Sequence, residues 1–169
     1  DVSDFEWWRP TEGDAPADLV SSSQAWHWVH PQVGLWRAHR LLRPGGWMAI
    51  WWNFSEPEDQ PIEQDIVAAY DRHLPGDTMF PTIAYEQGSP FAPDVTGVAF
   101  EDVAGELFRW RQQYTTAELV RLLSTHSHHK LMPPAERTRL FDDIAAVIDA
   151  HGGVYDFPYV TRLWIGRRG

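Results

Sequence analysis

The apolar positions change their period several times along the chain, and each change marks an element. Residues 17–23 (ADLVSSS) are partly β-branched and rich in small side chains, which suits a buried strand whose end approaches a ligand. In AWHWVHPQVGLWRAHRLL, Pro31 suits a first helical position, and Leu35, Ala38 and Leu42 recur at helical spacing. A helix is therefore expected over residues 31–42. It stops at Arg43-Pro44-Gly45-Gly46, where proline cannot continue a helix and two glycines permit reversal into a continuous apolar strand at 47–53. Strand, helix, turn and strand form a βαβ unit, and continuous apolar strands point to a parallel sheet covered on both faces.

From residue 54 to about 98 the pattern breaks up: Pro57, Pro61, Pro75, Pro81, Pro90 and Pro93 accompany many acids, around one expected helix at 62–73. Such a segment reads either as a lid over a ligand crevice at the carboxyl ends of the strands or as a solvated connection. LFRWRQQY at 107–114 then alternates like a strand. Thr115-Thr116-Ala117-Glu118 has the spacing of a capping box, and a helix to about 124 should bury Leu119, Leu122 and Leu123. A second helix is expected over Pro134–Ala150, with Leu140, Phe141, Ile144, Val147 and Ile148 on one face and Gly152 at its end. Residues 159–167 alternate as a final strand.

Composition narrows the function classes. At 169 residues, 43% hydrophobic and 22% charged, the chain suits one globular α/β domain. The longest apolar run, 47–52, is far below the roughly 20 residues that span a bilayer, and no signal segment opens the chain. A cytoplasmic protein without a membrane partner is expected. There is no cysteine, which removes disulfides and thiolate zinc sites. A net charge of -10 repels phosphate backbones, so no nucleic-acid partner is expected and small neutral or cationic substrates fit better. Most of the ten tryptophans are expected in the core, although tryptophan also lines apolar ligand pockets.

DLVSSSQAWHWV, a helix, LLRPGG and an apolar strand ending in WWN follow one another here in an order that resembles class I S-adenosylmethionine-dependent methyltransferases of the small-molecule, methyltransferase-11-like type. TTAELVRLLSTHS, PPAERTRLFDDI and the closing YVTRLWIGRR resemble the end of the same domain, so the resemblance covers nearly the whole chain. It implies a Rossmann-like sheet, mostly parallel with an antiparallel last strand. Residues 1–53 would be part of the cofactor-binding core, 54–105 the lid or substrate insertion, and 106–169 a strand-helix-helix-strand end. No G-x-G-x-G occurs in the sequence: Gly45-Gly46 and Gly152-Gly153 follow helices, whereas the family's cofactor loop follows a strand. The acid that binds the cofactor's ribose is not found either. Asp1 is not an initiator methionine, so the chain reads as the later part of an N-terminally truncated domain.

On this resemblance Asp4 and Phe5 correspond to the pair that contacts adenine, while Ser23, Gln24 and Ala25 fall beside the methionine part of S-adenosylmethionine. His27 becomes a candidate general base for a hydroxyl or amine, since an unperturbed imidazole titrates near neutrality. It could equally be a packed imidazole. Trp28 and Trp52 are candidate walls against a substrate or sulfonium, or else core. Asn53 ends a strand where a polar side chain can orient a ligand. His126, His128 and His129 lack an acid at ligand spacing and any visible outer support, so a solvated loop without metal is expected there. The activity implied is methyl transfer to O, N or C of a small molecule. The alternative is a shortened, non-catalytic ligand- or partner-binding module. The isolated chain is expected to be inactive, to hold S-adenosylmethionine poorly, and to pair through residues 18–23 with another copy or with a missing N-terminal segment.

Overall fold

A computed structural model describes residues 16–80, 98 and 100–169. The elements are β1 (Ala17–Ser23), a 3-10 turn (Trp26–Trp28), α1 (Pro31–Leu41), β2 (Leu42–Ser55), α2 (Pro61–His73), β3 (Phe100–Thr115), α3 (Thr116–Leu123), α4 (Ser127–Leu131), α5 (Pro134–Ala150) and β4 (Val154–Arg168). The strands form one mixed sheet in the order β1-β2-β4-β3, with β1 and β2 parallel. Among the described residues no helix is long and apolar enough to cross a membrane. Asp4, Phe5 and residues 81–97 and 99 of the expected lid lie outside the described residues.

Of the described residues, 16–53, 98, 100–108 and 161–169 form one compact unit, and 54–80 with 109–160 form another. In the first, α1 packs against β1, and Trp26, Leu35, Ala38, Leu42, Met48, Ile50, Trp52 and Trp164 are buried. Strand β2 begins at Leu42 rather than at 47, so the Arg43-Pro44-Gly45-Gly46 turn is in fact strand. Ala17 pairs with Leu42 and a register irregularity follows before Leu19 pairs with Trp47. Gly45 absorbs it at φ +75, and a β-carbon at Gly46 would lie 3.0 Å from the Arg43 carbonyl and 3.1 Å from that of Ala17. The glycines serve a bulge and a close backbone approach instead of a reversal.

The sheet is not covered throughout. Among the described residues β1 stands at one end of the strand order and Leu19 is 55% exposed, so the strand is not buried as its composition suggests. β3, at the other end, is exposed along almost its whole length. Only the central strands β2 and β4 alternate buried and half-exposed positions. Among the described tryptophans, Trp26, Trp52 and Trp164 are core, Trp51 is half-buried, and Trp28, Trp36, Trp47 and Trp110 are exposed. The expectation that most are core is thereby corrected.

The second unit is built on helix faces whose spacing the sequence announces. Leu140, Ile144 and Ile148 recur every four residues on α5 and are fully buried, each contributing about 1.5–3 kcal/mol. α2 and α3 both pack on α5, placing Ile62, Ile66, Ala69, Tyr70, Leu119 and Leu123 in the same cluster. Helix α2 thus supplies core side chains to this unit. The Thr115 capping box is made in full: its hydroxyl accepts from the Glu118 amide and Glu118 accepts from the Thr115 amide at 3.0 Å.

The solvated loop expected at residues 126–129 is also corrected. His126 precedes the short helix α4 at its N-cap position, and His129 is fully buried. Its Nδ1–H donates to the Leu123 carbonyl at 2.7 Å, and its Nε2 accepts from the Tyr70 hydroxyl at 2.9 Å. That arrangement holds the neutral tautomer, and burial pushes the pKa of His129 down to about 4. Unfolding exposes an imidazole of ordinary affinity, so stability is intact above pH 6.5 and falls as pH drops from 6.5 toward 4. The loss should reach about 3 kcal/mol. Urea midpoints measured at pH 7 and pH 4.5 check it, and a midpoint gap that His129→Phe leaves unchanged would assign the acid sensitivity elsewhere.

Candidate functional site

The sequence-predicted residues that are described collect at the carboxyl ends of β1 and β2. Because the two strands are parallel and Ser23 pairs with Trp51, both chains leave the sheet on the same side. The turn begins at Gln24, whose φ of +55 is a left-handed conformation that side chains rarely adopt. Its amide donates to the Trp51 carbonyl at 3.0 Å and its Nε2 to the Asn53 carbonyl at 3.1 Å, so two bonds to β2 hold the strained residue. Gln24→Val removes the second bond and places a β-branched residue at positive φ. A loss of about 1–2 kcal/mol in urea unfolding is expected, against little change for Gln24→Gly.

Past Gln24 the Trp28 amide bonds to the Ala25 carbonyl and the Val29 amide to that of Trp26, both at 3.0 Å, closing the 3-10 turn. Trp26 anchors this turn from within. A β-carbon at Gly34 of α1 would lie 3.0 Å from the Trp26 ring and run into Val29, so only glycine admits the indole there. With Trp26 buried, its neighbours His27 and Trp28 are turned outward, their ring centroids 5.0 Å apart. Ser23, Gln24 and Ala25 are exposed beside them.

His27 Nδ1 accepts from the Trp52 indole N–H at 3.4 Å, a long bond. Although the residue is exposed by area, partial desolvation lowers its pKa, which favours the neutral ring at pH 7. Trp52 itself is 2% exposed. It is a core residue that reaches the site through one nitrogen, and its ring face is not offered as a wall. Trp28, 60% exposed, is. Asn53 is half-buried, and its Oδ1 accepts from the Thr161 hydroxyl at 2.7 Å, so its amide nitrogen remains to donate. Thr161 carries no signal in the sequence: it reaches Asn53 across 108 residues, and no local pattern marks such a pair.

No family model matches the chain. An uncharacterized methyltransferase of Mycobacterium tuberculosis is 28% identical over 154 residues, which is 88% of this chain and 57% of that protein. One of Schizosaccharomyces pombe is 24% identical over 135 residues, 80% of this chain and 51% of that protein. This chain thus spans about half the length of the curated relatives it matches. A solved structure described as a candidate type II methyltransferase, from Anaeromyxobacter dehalogenans, covers 90% of this chain and 64% of its own at a TM-score of 0.50, with 17% identity. The chain has a methyltransferase fold.

For S-adenosylmethionine, the group such a fold implies, the fit is incomplete. Gly45 and Gly46 lie within β2, and Gly152 and Gly153 join α5 to β4. None opens a helix after a strand, the place from which backbone amides cradle a cofactor's charged end. Among the described residues, Ser23 to Trp28 follow the carboxyl end of β1 and Asn53 lies near the carboxyl end of β2, where its side chain, next along the strand from Trp52, points to the opposite face and meets Thr161.

Proposed function

We propose that this chain belongs to an enzyme that transfers a methyl group from S-adenosylmethionine to an oxygen, nitrogen or carbon of a small molecule, and that the carboxyl ends of β1 and β2 face that reaction. The observation that carries the reading is the outward pair His27 and Trp28, which follows the Gln24 turn at the carboxyl end of β1 on a methyltransferase fold. The similarity to proteins named methyltransferases supports the reaction class. The donor supplies an electrophilic methyl group, and the task left to the protein is to align the acceptor and take its proton.

Each residue has a distinct part in that task. His27 is neutral at pH 7 and accepts the proton of an acceptor hydroxyl or amine. With Nδ1 accepting from Trp52, the ring carries its proton on Nε2. It can take a substrate proton at Nε2 after that proton moves to Nδ1, and the bond given up is a weak one. Trp28 offers an apolar face to a ring or a cation, and Asn53 donates from its amide. The net charge of -10 favours cationic or neutral acceptors over anionic ones. The test is transfer of a labelled methyl group from S-adenosylmethionine to a panel of phenols, amines and activated carbons. It uses the chain both alone and extended N-terminally by the glycine-rich part of a class I methyltransferase. Transfer by the extended protein supports the reading. Absence of transfer to every class of acceptor, with donor binding intact, overturns it.

A further inference from the structure

A second cluster of chemically able side chains lies in the unit of residues 54–80 and 109–160, and the methyl-transfer reading does not use it. His126, His128 and His129 hold their ligand-capable nitrogens within 4.8 Å of one another. We propose that these three histidines form a site for one divalent transition-metal ion of the zinc and copper kind, bound through imidazole nitrogens alone.

The spacing fits the ion. His128 Nε2 lies 3.1 Å from His129 Nε2. Two nitrogens bound tetrahedrally at zinc-like distances stand about 3.3 Å apart, so the nitrogen spacing already matches, and rotation of the His128 ring, whose centroid lies 4.0 Å from that of His129, aims both lone pairs at a shared metal. The third ring, His126, lies nearly parallel to His129 at 5.7 Å between centroids and 5.6 Å from His128. His126 and His128 are both half-buried, and small side-chain rotations close the triangle.

The least mobile ligand is the one best prepared. His129 Nδ1–H is tied to the Leu123 carbonyl at 2.7 Å, which fixes the ring and leaves Nε2 as the nitrogen facing the other two. Metal-binding histidines are oriented by just such a bond from the far nitrogen to a carbonyl or carboxylate. The Tyr70 hydroxyl, 2.9 Å from the same Nε2, gives up its bond there when a metal takes the lone pair, and can then turn to a water bound on the metal. A neutral imidazole is the ligand form. Two Nε2 atoms at hydrogen-bond distance share one proton, so His128 must move its ring proton to Nδ1 before it binds. No net proton is released from neutral rings.

The surroundings suit a cation. The Asp77 carboxylate is close enough to act electrostatically on both His129 and Tyr70. An all-nitrogen donor set selects zinc, copper, nickel or cobalt over magnesium and calcium, which prefer oxygen.

Calorimetric titration of the untagged chain with zinc chloride at pH 7.5 tests the site. One ion per chain is expected, with His126→Ala and His128→Ala each weakening binding by on the order of tenfold or more and the double variant abolishing it. His151→Ala, a histidine paired with Asp65 elsewhere, should bind as the parent does. Cobalt should give the visible absorption of a tetrahedral nitrogen site, lost in the double variant, while circular dichroism shows that variant folded. The half-buried His126 and His128 are chosen so that the buried His129 can stay in place. No saturable binding, or stoichiometric binding that survives the double substitution, would overturn the proposal.

Discussion

Glu63→Ala is expected to destabilise the chain by about 3–5 kcal/mol, a large loss for a single polar side chain. Glu63 is 3% exposed at the third position of α2. One carboxylate oxygen accepts from the amides of Glu58 and Gln60 at 2.8 and 2.9 Å, and the other accepts from the Tyr155 hydroxyl at 2.9 Å. Removing the carboxylate leaves three donors without an acceptor, and the 2% exposed Tyr155 has no water to turn to. The first turn of α2 also loses the negative charge that its helix dipole favours. Burial and the neighbouring Glu63 both raise the Tyr155 pKa, so the hydroxyl stays protonated as the donor. Glu63→Gln keeps an acceptor for part of the set and should cost about 1–2 kcal/mol. Urea unfolding orders the variants, and a Glu63→Ala midpoint within experimental error of the parent would show that the three donors find other partners.

His27→Gln should lower methyl transfer by about 10²–10⁴-fold if the ring is the proton acceptor. The sign of its pH dependence follows from its environment. Desolvation lowers the His27 pKa, so the basic neutral ring persists to a pH below the ordinary 6.5. In the N-terminally extended protein with His27 in place, kcat/KM should therefore rise through an acid limb centred below 6.5 and level off at neutral pH. His27→Gln should lose that limb as well as the rate. Trp28→Ala, by contrast, removes an apolar face and should act mainly on KM. A rate loss in His27→Gln with the acid limb intact would assign the proton transfer to another group and leave His27 as a structural residue of the 3-10 turn.

Signals that rest on residues a few positions apart were legible in the chain. The strand Ala17–Ser23 and the helix Pro134–Ala150 end where the sequence marks them, the Thr115 to Glu118 box caps α3, and Pro31 opens α1. The αβ pattern that underlies the methyltransferase resemblance is of this kind, because capping, proline geometry and helical periodicity are settled within about one turn. Tertiary structure alone decided which faces those elements bury. It set Trp52 in the core while leaving Trp28 outside, joined Thr161 to Asn53, and turned an expected histidine loop into a helix with His129 buried under Tyr70. The physical reason is distance along the chain. Tyr70 and His129 are 59 residues apart and Thr161 and Asn53 are 108 apart, so no local pattern encodes the meeting; only the packing of whole elements brings such side chains together and fixes their protonation and reach.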